Sequence, residues 1–421
     1  MSGFSTLSPF RVRSYRFQWP ADLLTSWAFE MEVLILGWYV LTETNSVLLL
    51  TLYGALLYGG TLIAPMIGVA SDRIGHRHLL SGMRAVYTAV AATLMVLAFA
   101  GWLNPLAVLA MAAVSGIVRP SDMGLRGALI AETMPANRLT AAMGVSRTTS
   151  DSARIAGALA GAGLVAAFGM GPAYVVITAF YALGSLLTWC AVPKRSDPRP
   201  APHAAAAATA AVAPELTSPW RDLKEGLVHI WNTPSLLALV WLAFLFNLTA
   251  FSMTNGLLPY VAREVYGSDQ TGLGYLVASL SFGALVGSLA LTRFGGGGTA
   301  LARIMIVSGI LWHALLLLFA QMQSMPLGIA ALMLTGVAQS LTMVSHTVIL
   351  LHASERRFRG RIMGVRMLAI YSLPLGLLTA GALIERIGFR ATWSLFAVTG
   401  LVFTVLIALR WRDQLWRLRA A

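Results

Sequence analysis

GVASDRIGHR, residues 68–77, is a short polar turn between two long apolar tracts of the chain. The tracts cover residues 47–69 and 79–101. Each is as long as the roughly 20 mostly apolar residues that a helix needs to cross a bilayer. The turn therefore joins two predicted membrane-spanning helices, and the same alternation of apolar tract and polar turn continues through most of the chain.

The composition of the whole chain indicates a membrane protein. Its 421 residues are 57% hydrophobic and only 11% charged, and the mean hydropathy is +0.73. These values lie outside the usual range of soluble globular proteins, so the lipid bilayer is the expected solvent. The net charge of +13 does not predict a nucleic-acid partner, because the basic residues form short clusters between apolar tracts, where they orient helices.

The sequence predicts no cofactor, no bound metal and no enzymatic activity. A single cysteine, Cys190, excludes a disulfide within the chain and a cysteine-based cluster. His313 and His346 have no carboxylate or thiol at ligand spacing in their apolar tracts. The chain lacks a phosphate-binding loop of the Gly-x4-Gly-Lys-Ser/Thr kind. No set of nucleophile, base and orienting group recurs at convincing positions.

Twelve apolar tracts are long enough to span a membrane. The predicted spans are residues 20–41, 47–69, 79–101, 105–126, 141–168, 171–192, 236–261, 270–292, 301–321, 326–351, 362–384 and 391–410. They predict an all-α membrane protein with twelve transmembrane helices, arranged as two pseudo-symmetric bundles of six.

The distribution of basic residues predicts the orientation. When the N-terminus is placed inside, three of the 30 Lys and Arg side chains lie outside and four lie within spans, which leaves 23 on the inner side. The four within spans are Arg119, Arg147, Arg154 and Arg366. Because the inner loops of membrane proteins are rich in Lys and Arg, we expect both termini in the cytoplasm.

A Pro- and Ala-rich stretch divides the chain into two halves. Residues 193–219 are too polar and too interrupted to span, and they predict a flexible cytoplasmic tether. Residues 220–231 place apolar and charged side chains on different faces, as in a helix at the inner membrane interface. We predict an N-terminal bundle at 1–192, a linker with this amphipathic helix at 193–235, and a C-terminal bundle at 236–421.

An internal repeat relates the two halves. An offset of 220 residues aligns four loci: Arg73/Gly75 with Arg293/Gly295, Ser115-Gly116 with Thr335-Gly336, Met143-Gly144-Val145 with Met363-Gly364-Val365, and Gly161 with Gly381. One offset shared by four loci predicts a duplicated six-helix unit. In transporters, parallel repeats of this kind rock about a central binding site.

The polar turn resembles the signature loop of major facilitator transporters. That loop has Gly, three residues, Asp-Arg, one residue, Gly and then basic residues, and His76 stands where the family usually has Arg or Lys. An Asp on such a turn can pair with a helix N-terminus or an Arg in one conformation and be released in the other, which predicts a latch. The latch residues are Gly68, Asp72, Arg73, Gly75 and Arg77. The alternative is a turn that only carries positive charge on the inner side.

Further tracts are similar to the drug and siderophore exporter branch of that superfamily. They are residues 120–144, 222–226 and 358–376. In the fifth span, residues 157–161 (GALAG) are similar to the Gly- and Pro-rich antiporter motif of that group, with Ala158 in place of the proline. The resemblance implies a proton-coupled exporter in a bacterial inner membrane. Close helix packing is the alternative interpretation of these glycines.

Ionisable residues inside the spans are the candidate coupling sites. A charged side chain near the centre of a span costs on the order of 2.5 to 3.5 kcal/mol, so it tends to face a water-filled cavity or a partner. The first span carries a polar stripe at spacings of four, four and seven: Asp22, Ser26, Glu30 and Gly37. Glu30 lies near mid-depth and is the first candidate to face a cavity. Glu32 lies about 200° further around the helix and is expected to pair with a neighbouring helix.

The fourth and fifth spans carry stripes that alternate in charge. They are Ser115, Arg119, Asp122 and Arg126, then Arg147, Asp151 and Arg154. The predicted proton-coupling sites are Glu30, Asp122 or Asp151, and the predicted charge partners are Arg119, Arg147, Arg154 and Glu32. The alternative is a permanently paired network that stabilises the bundle without titrating. The second half offers polar candidates for the substrate cavity: Asn247, Asn255, Gln339, His346, Arg366 and Tyr371.

These features predict a secondary transporter that works by alternating access and exports a small amphipathic or hydrophobic compound in exchange for protons. One alternative is an uncoupled facilitator or importer, in which the carboxylates are structural. Another is a membrane sensor or scaffold that keeps the fold without transporting. The intramembrane charges argue against a scaffold, which would have little need of them.

Overall fold

The computed structural model describes residues 8–191, 219–294, 298–353 and 369–415. The regular secondary structure of these residues is helical. Ten of the described helices are long and apolar enough to cross a membrane.

The first half contains seven helices. They are α1 (Arg13–Thr44), α2 (Val47–Leu56), α3 (Ala64–Ile74), α4 (His76–Phe99), α5 (Pro105–Thr133), α6 (Ala136–Phe168) and α7 (Met170–Cys190). The second predicted span is therefore divided into α2 and α3, with a tight turn at Gly59–Leu62 between them. A Cβ atom on Gly60 would lie only 2.0 Å from the Ile117 carbonyl oxygen of α5, so close backbone contact accompanies this break.

The described residues of the second half include seven longer helices. They are α8 (Pro219–Asn232), α9 (Pro234–Phe246), α10 (Gln270–Phe294), α11 (Gly298–Phe319), α12 (Met325–Ala353), α13 (Ser372–Ile387) and α14 (Phe389–Arg410). The predicted amphipathic helix corresponds to α8. The eleventh predicted span begins among residues that are not described, so the count of twelve stays a prediction for this span and for the divided second one.

The seventh predicted span is not one regular helix. After α9 it widens into π-helical turns at Asn247–Phe251 and Val261–Val265, with short helices Ser252–Gly256 and Leu258–Tyr260 between them. The Ser252 hydroxyl lies 2.8 Å from the carbonyl oxygens of both Asn247 and Leu248. Such competition between side chain and backbone is one cause of irregular helical turns, which are frequent near functional sites.

One pair of equivalent glycines makes the same kind of contact in each half, as the internal repeat predicts. A Cβ atom on Gly116 would lie 1.9 Å from the Leu56 carbonyl oxygen, which brings α5 against α2. A Cβ atom on Gly336, 220 positions later, would lie 2.0 Å from the Leu280 carbonyl oxygen, which brings α12 against α10. The same helix pair is thus held by the same device in each half. The repeat loci Gly295 and 363–365 lie outside the described residues.

The two halves contact each other near the end of α1. There α13 packs on α2, where a Cβ atom on Gly381 would lie 2.2 Å from Thr51 Oγ1. At the same end α10 packs on α6, where a Cβ atom on Gly274 would lie 2.9 Å from Ala162 Cβ. We call this the Asn45 end, after the residue that follows α1, and the opposite end, where α3 meets α4, the Gly75 end.

Candidate functional site

A cavity of about 390 Å³ lies between the two halves. This volume is within the range of roughly 300 to 1,000 Å³ that is typical of small-molecule sites. Helices α1, α2, α5 and α6 line one wall, and the segment after α9 together with α10, α12 and α13 lines the other. The charged residues in the described part of the lining all belong to the first half: Glu30, Arg119, Asp122, Arg126 and Arg154. The cavity thus has a charged wall and a wall of apolar and amide side chains.

Glu30 faces the cavity, at the position that the polar stripe predicts. Its Oε1 atom lies 3.7 Å from Nε of Arg154, and both side chains are partly exposed. The pair forms because α6 lies directly against α1: a Cβ atom on Gly157 would be 2.9 Å from Glu30 Cβ. The glycine lies one helical turn beyond Arg154 and so sets the distance between the two charges.

A second charge cluster lies on the same wall and joins α1, α4 and α5. Arg84 pairs with Asp22, and Arg126 pairs with Asp122. The cross contacts are longer, at 3.8 Å from Arg126 Nε to Asp22 Oδ1 and 3.9 Å from Arg84 Nε to Asp122 Oδ1. Arg126 Nη1 also donates to Ser26 Oγ at 2.7 Å. With two carboxylates and two guanidinium groups, the cluster can be electrically neutral.

Arg84 is the member of the charge cluster that the sequence pattern does not single out. The pattern places it with the basic residues of the inner side, but its side chain is 0% exposed and also donates to Thr188 of α7. Arg126, which the sequence places on the stripe of the fourth span, lies within α5. The available signal was an arginine within the apolar tract 79–101.

Glu32 pairs with a neighbouring helix, as its position around α1 predicts. It is 8% exposed and accepts a hydrogen bond of 2.8 Å from the Tyr181 hydroxyl of α7. Arg119 lies on the cavity side, with its guanidinium over the Phe29 ring. At ion-pair and hydrogen-bond distance, the described charges therefore form separate groups along α1, while Arg119 interacts electrostatically with Glu32.

Asp151 has a local partner on its own helix. Its Oδ2 atom lies 3.2 Å from Nε of Arg147, one turn earlier on α6, and the Arg147 side chain is 61% exposed. Asp151 is not among the residues that line the cavity, although its neighbour Ser150 is. Of the three predicted coupling carboxylates, Glu30 and Asp122 are thus the ones that face the cavity.

Two of the polar candidates in the second half, Asn255 and Gln339, line the cavity. Asn247, His346 and Tyr371 are not part of the lining, and the first two make hydrogen bonds within their own half. Asn247 donates to the Ala243 carbonyl oxygen at 2.8 Å, and His346 donates through Nε2 to the Leu239 carbonyl oxygen at 2.9 Å. Tyr371 immediately precedes α13. Arg366 lies outside the described residues.

The signature turn connects the cytoplasmic-side ends of several helices in the predicted orientation. Gly75 has φ of +91°, a conformation that favours glycine and allows α4 to begin directly after α3. His76 Nδ1 lies 2.6 Å from Glu132 Oε1 at the end of α5, and the Arg77 guanidinium lies 5.6 Å from the centre of the Trp189 ring. Arg73 is exposed. The Asp72 side chain lies outside the part of the structure that is described.

Comparison with known proteins identifies the family. The family model for the Major Facilitator Superfamily matches residues 20–302 and 240–419. A multidrug efflux pump, Tap of Mycolicibacterium fortuitum, is 25% identical over 173 residues, which span 40% of this chain and 41% of that pump.

Solved transporter structures share the fold at low sequence identity. The peptide-transporter-family protein PepTSo superposes with a TM-score of 0.76 at 11% identity, over 96% of this chain and 99% of the other. A bacterial homologue of the human lysosomal transporter Spinster gives 0.69 at 14% identity, over 97% and 99%. The human organic anion transporter MFSD10 gives 0.64 at 17% identity, over 93% and 98%. The chain belongs to the Major Facilitator Superfamily and is a multi-pass membrane protein with the fold of its solved transporters.

Proposed function

We propose that this protein is a proton-coupled exporter of small amphipathic or hydrophobic compounds. It would lie in a bacterial inner membrane with both termini in the cytoplasm, as the basic inner loops predict. The partial similarity to a protein named as a multidrug efflux pump supports export. The moving units would be residues 1–192 and 236–421, joined by the linker at 193–235.

The observation that carries the proposal is the pair formed by Glu30 and Arg154. It joins α1 to α6 at the cavity wall, with 3.7 Å between Glu30 Oε1 and Arg154 Nε. An intramembrane carboxylate is costly unless it is paired, hydrated or protonated. If the conformational change separates the two groups, or if substrate takes one of them, proton binding to Glu30 offsets the lost interaction. The pair thereby couples proton binding to the state of the cavity.

The contacts between the halves support alternating access. Packing of α2 on α13 and of α6 on α10 closes the Asn45 end. Arg263 adds hydrogen bonds to the Leu41 carbonyl oxygen and to Asn45. In the predicted orientation this is the outer end, so the cavity would receive substrate from the cytoplasm. Rocking of the two halves would break these contacts and close the Gly75 end, where the signature turn lies.

Proton movement in proteoliposomes tests the coupling. Purified protein would be reconstituted with a pH-sensitive dye inside and an imposed pH gradient, and then given rhodamine 6G, Nile red or 1-anilinonaphthalene-8-sulfonate. We expect dye-stimulated proton flux in the native protein and its loss in Glu30→Gln. Glu43→Gln is the matched control, because Glu43 lies on the same helix but is exposed at its end.

Each other outcome assigns the function differently. Flux that survives Glu30→Gln would move the coupling role to Asp122 or Asp151. Dye transport without proton flux in the native protein would establish the uncoupled facilitator. Absence of transport for every dye would favour the sensor or scaffold.

A further inference from the structure

Arg119 is the one cavity-lining arginine without a carboxylate partner among the described residues. Arg154 pairs with Glu30, and Arg126 pairs with Asp122. Arg119 has no carboxylate oxygen within 4 Å in the part of the chain that the structure describes; its described contact is with the Phe29 ring. The undescribed residues 362–368 of the eleventh predicted span include no acidic side chain.

The charge around the cavity is therefore unbalanced. Three arginines and two carboxylates line it, and Arg84 and Asp22, which lie behind the lining, form a pair that compensates itself. Glu32 interacts electrostatically with Arg119 at a distance beyond that of an ion pair, but it is buried behind the cavity lining, where it accepts a hydrogen bond from Tyr181. Among the described residues that line the cavity, positive charges therefore outnumber negative ones, and Arg119 is the lining arginine with no carboxylate at ion-pair distance.

The chemistry of the guanidinium defines what would bind there. The Arg119 guanidinium lies over the Phe29 ring, and a guanidinium carries N–H donors that can bind a carboxylate or another planar oxyanion with two parallel hydrogen bonds. An unpaired charge inside a membrane is costly, so an anionic ligand gains more here than in water. A cationic ligand would be repelled by the same group.

The facing wall fits an apolar body. It consists mainly of aliphatic side chains from the second half, including Leu258, Leu273, Val277 and Leu280. Asn255 and Gln339 are its amides, and they can accept or donate without adding charge. A ligand that reaches both walls therefore has one anionic end and one apolar end.

We propose that the substrate of this cavity is a small amphipathic organic anion, whose acidic group binds Arg119 while its apolar body packs against the second half. This rests on the proposed function, since it names the substrate class of the same cavity. It differs from the wider class of hydrophobic compounds because it assigns a sign to the charge of the substrate.

The sign of the substrate charge can be tested with three compounds that share one apolar ring system and differ in charge. The compounds are 1-naphthaleneacetate, its neutral amide 1-naphthaleneacetamide, and the cation 2-(1-naphthyl)ethylamine, measured by equilibrium dialysis against the full chain in nanodiscs. We expect the native protein to bind the acetate about tenfold more tightly than the amide, and the amine more weakly than both.

Variants at Arg119 assign the preference to this side chain. Arg119→Gln should bring the ratio of acetate to amide affinity close to one while the affinity for the amide is kept, which also shows that the cavity is intact. Arg119→Met replaces it if the glutamine variant does not fold, and Arg119→Lys should keep part of the preference. Arg390→Gln is the control, because Arg390 is an exposed arginine of α14.

The outcomes separate this proposal from the proposed function. Equal binding of the three compounds to the native protein, or an acetate preference that survives in both Arg119→Gln and Arg119→Met, overturns the anionic substrate and leaves transport of amphipathic compounds standing. Failure of all three compounds to bind overturns both.

Discussion

Arg263 and Asn45 join the two halves of the protein across the Asn45 end of the cavity. Arg263 Nη2 lies 2.5 Å from Asn45 Oδ1, and Arg263 Nη1 lies 2.8 Å from the Leu41 carbonyl oxygen. Asn45 has φ of 52°, a left-handed conformation that asparagine tolerates better than most residues and that ends α1 at this point. The contact between the halves thus depends on how one helix ends.

Removal of this contact should open the Asn45 end more often. Thr51 is 0% exposed at the interface of α2 and α13, so a cysteine there reports opening. In a Thr51→Cys, Cys190→Ser background, we expect Arg263→Ala to raise the rate of maleimide labelling about fivefold, in line with the loss of about 1 kcal/mol of hydrogen bonding. Arg390→Ala, at the same end, should leave the rate unchanged. Equal rates in Arg263→Ala and the parent would show that the contact does not hold the closed state.

Gly157 should be intolerant of even a methyl group. A Cβ atom there would lie 2.9 Å from Glu30 Cβ and 3.1 Å from the Trp27 carbonyl oxygen, so Gly157→Ala must push α6 away from α1. We expect a loss of stability of about 1 to 3 kcal/mol, measured by thermal unfolding in detergent. Gly163→Ala on the same helix meets nothing within 4 Å and should be neutral or slightly stabilising. Similar unfolding midpoints for the two variants would contradict this packing.

The long regular helices could be predicted because apolar length alone specifies them. The last span was expected at 391–410 and is observed at Phe389–Arg410. The second and seventh spans could not be predicted in detail. Their breaks accompany contacts between elements, such as Gly60 against Ile117, and hydrogen bonds from Ser252 to the backbone. The composition of the chain does not reveal such contacts, since an apolar tract has the same composition whether its helix is regular or interrupted.

Replacement of Arg84 alone should destabilise the protein more than replacement of Arg84 together with Asp22. It is fully buried beside Asp22, so Arg84→Met leaves that carboxylate with only the longer contact to Arg126 at 3.8 Å. Loss of one member of a buried pair costs about 3 to 5 kcal/mol, whereas neutral replacement of both is often tolerated. We therefore expect Asp22→Asn/Arg84→Met to unfold at a higher temperature than Arg84→Met. A double variant less stable than the single one would show that Asp22 needs no compensating charge.

Those features of the candidate site that depend on a single helix could be predicted from the sequence. The spacing from Asp22 to Glu30 places both side chains on one stripe, and the structure puts Glu30 at the cavity. The partners were harder to predict, because they depend on which helices meet. Arg84 reaches Asp22 from α4, and Glu32 finds Tyr181 on α7. Periodicity orders residues around one helix and carries no information about the neighbour that each face contacts.

The contact between His76 and Glu132 at the Gly75 end should contribute measurably to the stability of the protein. It joins the first residue of α4 to the end of α5 with 2.6 Å between His76 Nδ1 and Glu132 Oε1, but the Glu132 side chain is 43% exposed. Solvent screening at that exposure limits the coupling to about 0.2 to 1 kcal/mol. We expect that value from a double-mutant cycle of His76→Ala and Glu132→Ala, measured by thermal unfolding at low salt. His76→Arg restores the basic residue usual in the family loop and should keep the coupling. A second double-mutant cycle, of Arg73→Ala and Glu132→Ala, is the control, because Arg73 is an exposed arginine of the same turn. We expect no coupling in this control cycle. Equal coupling in the two cycles would mean that Glu132 interacts with the overall positive charge of the turn and not with His76 in particular.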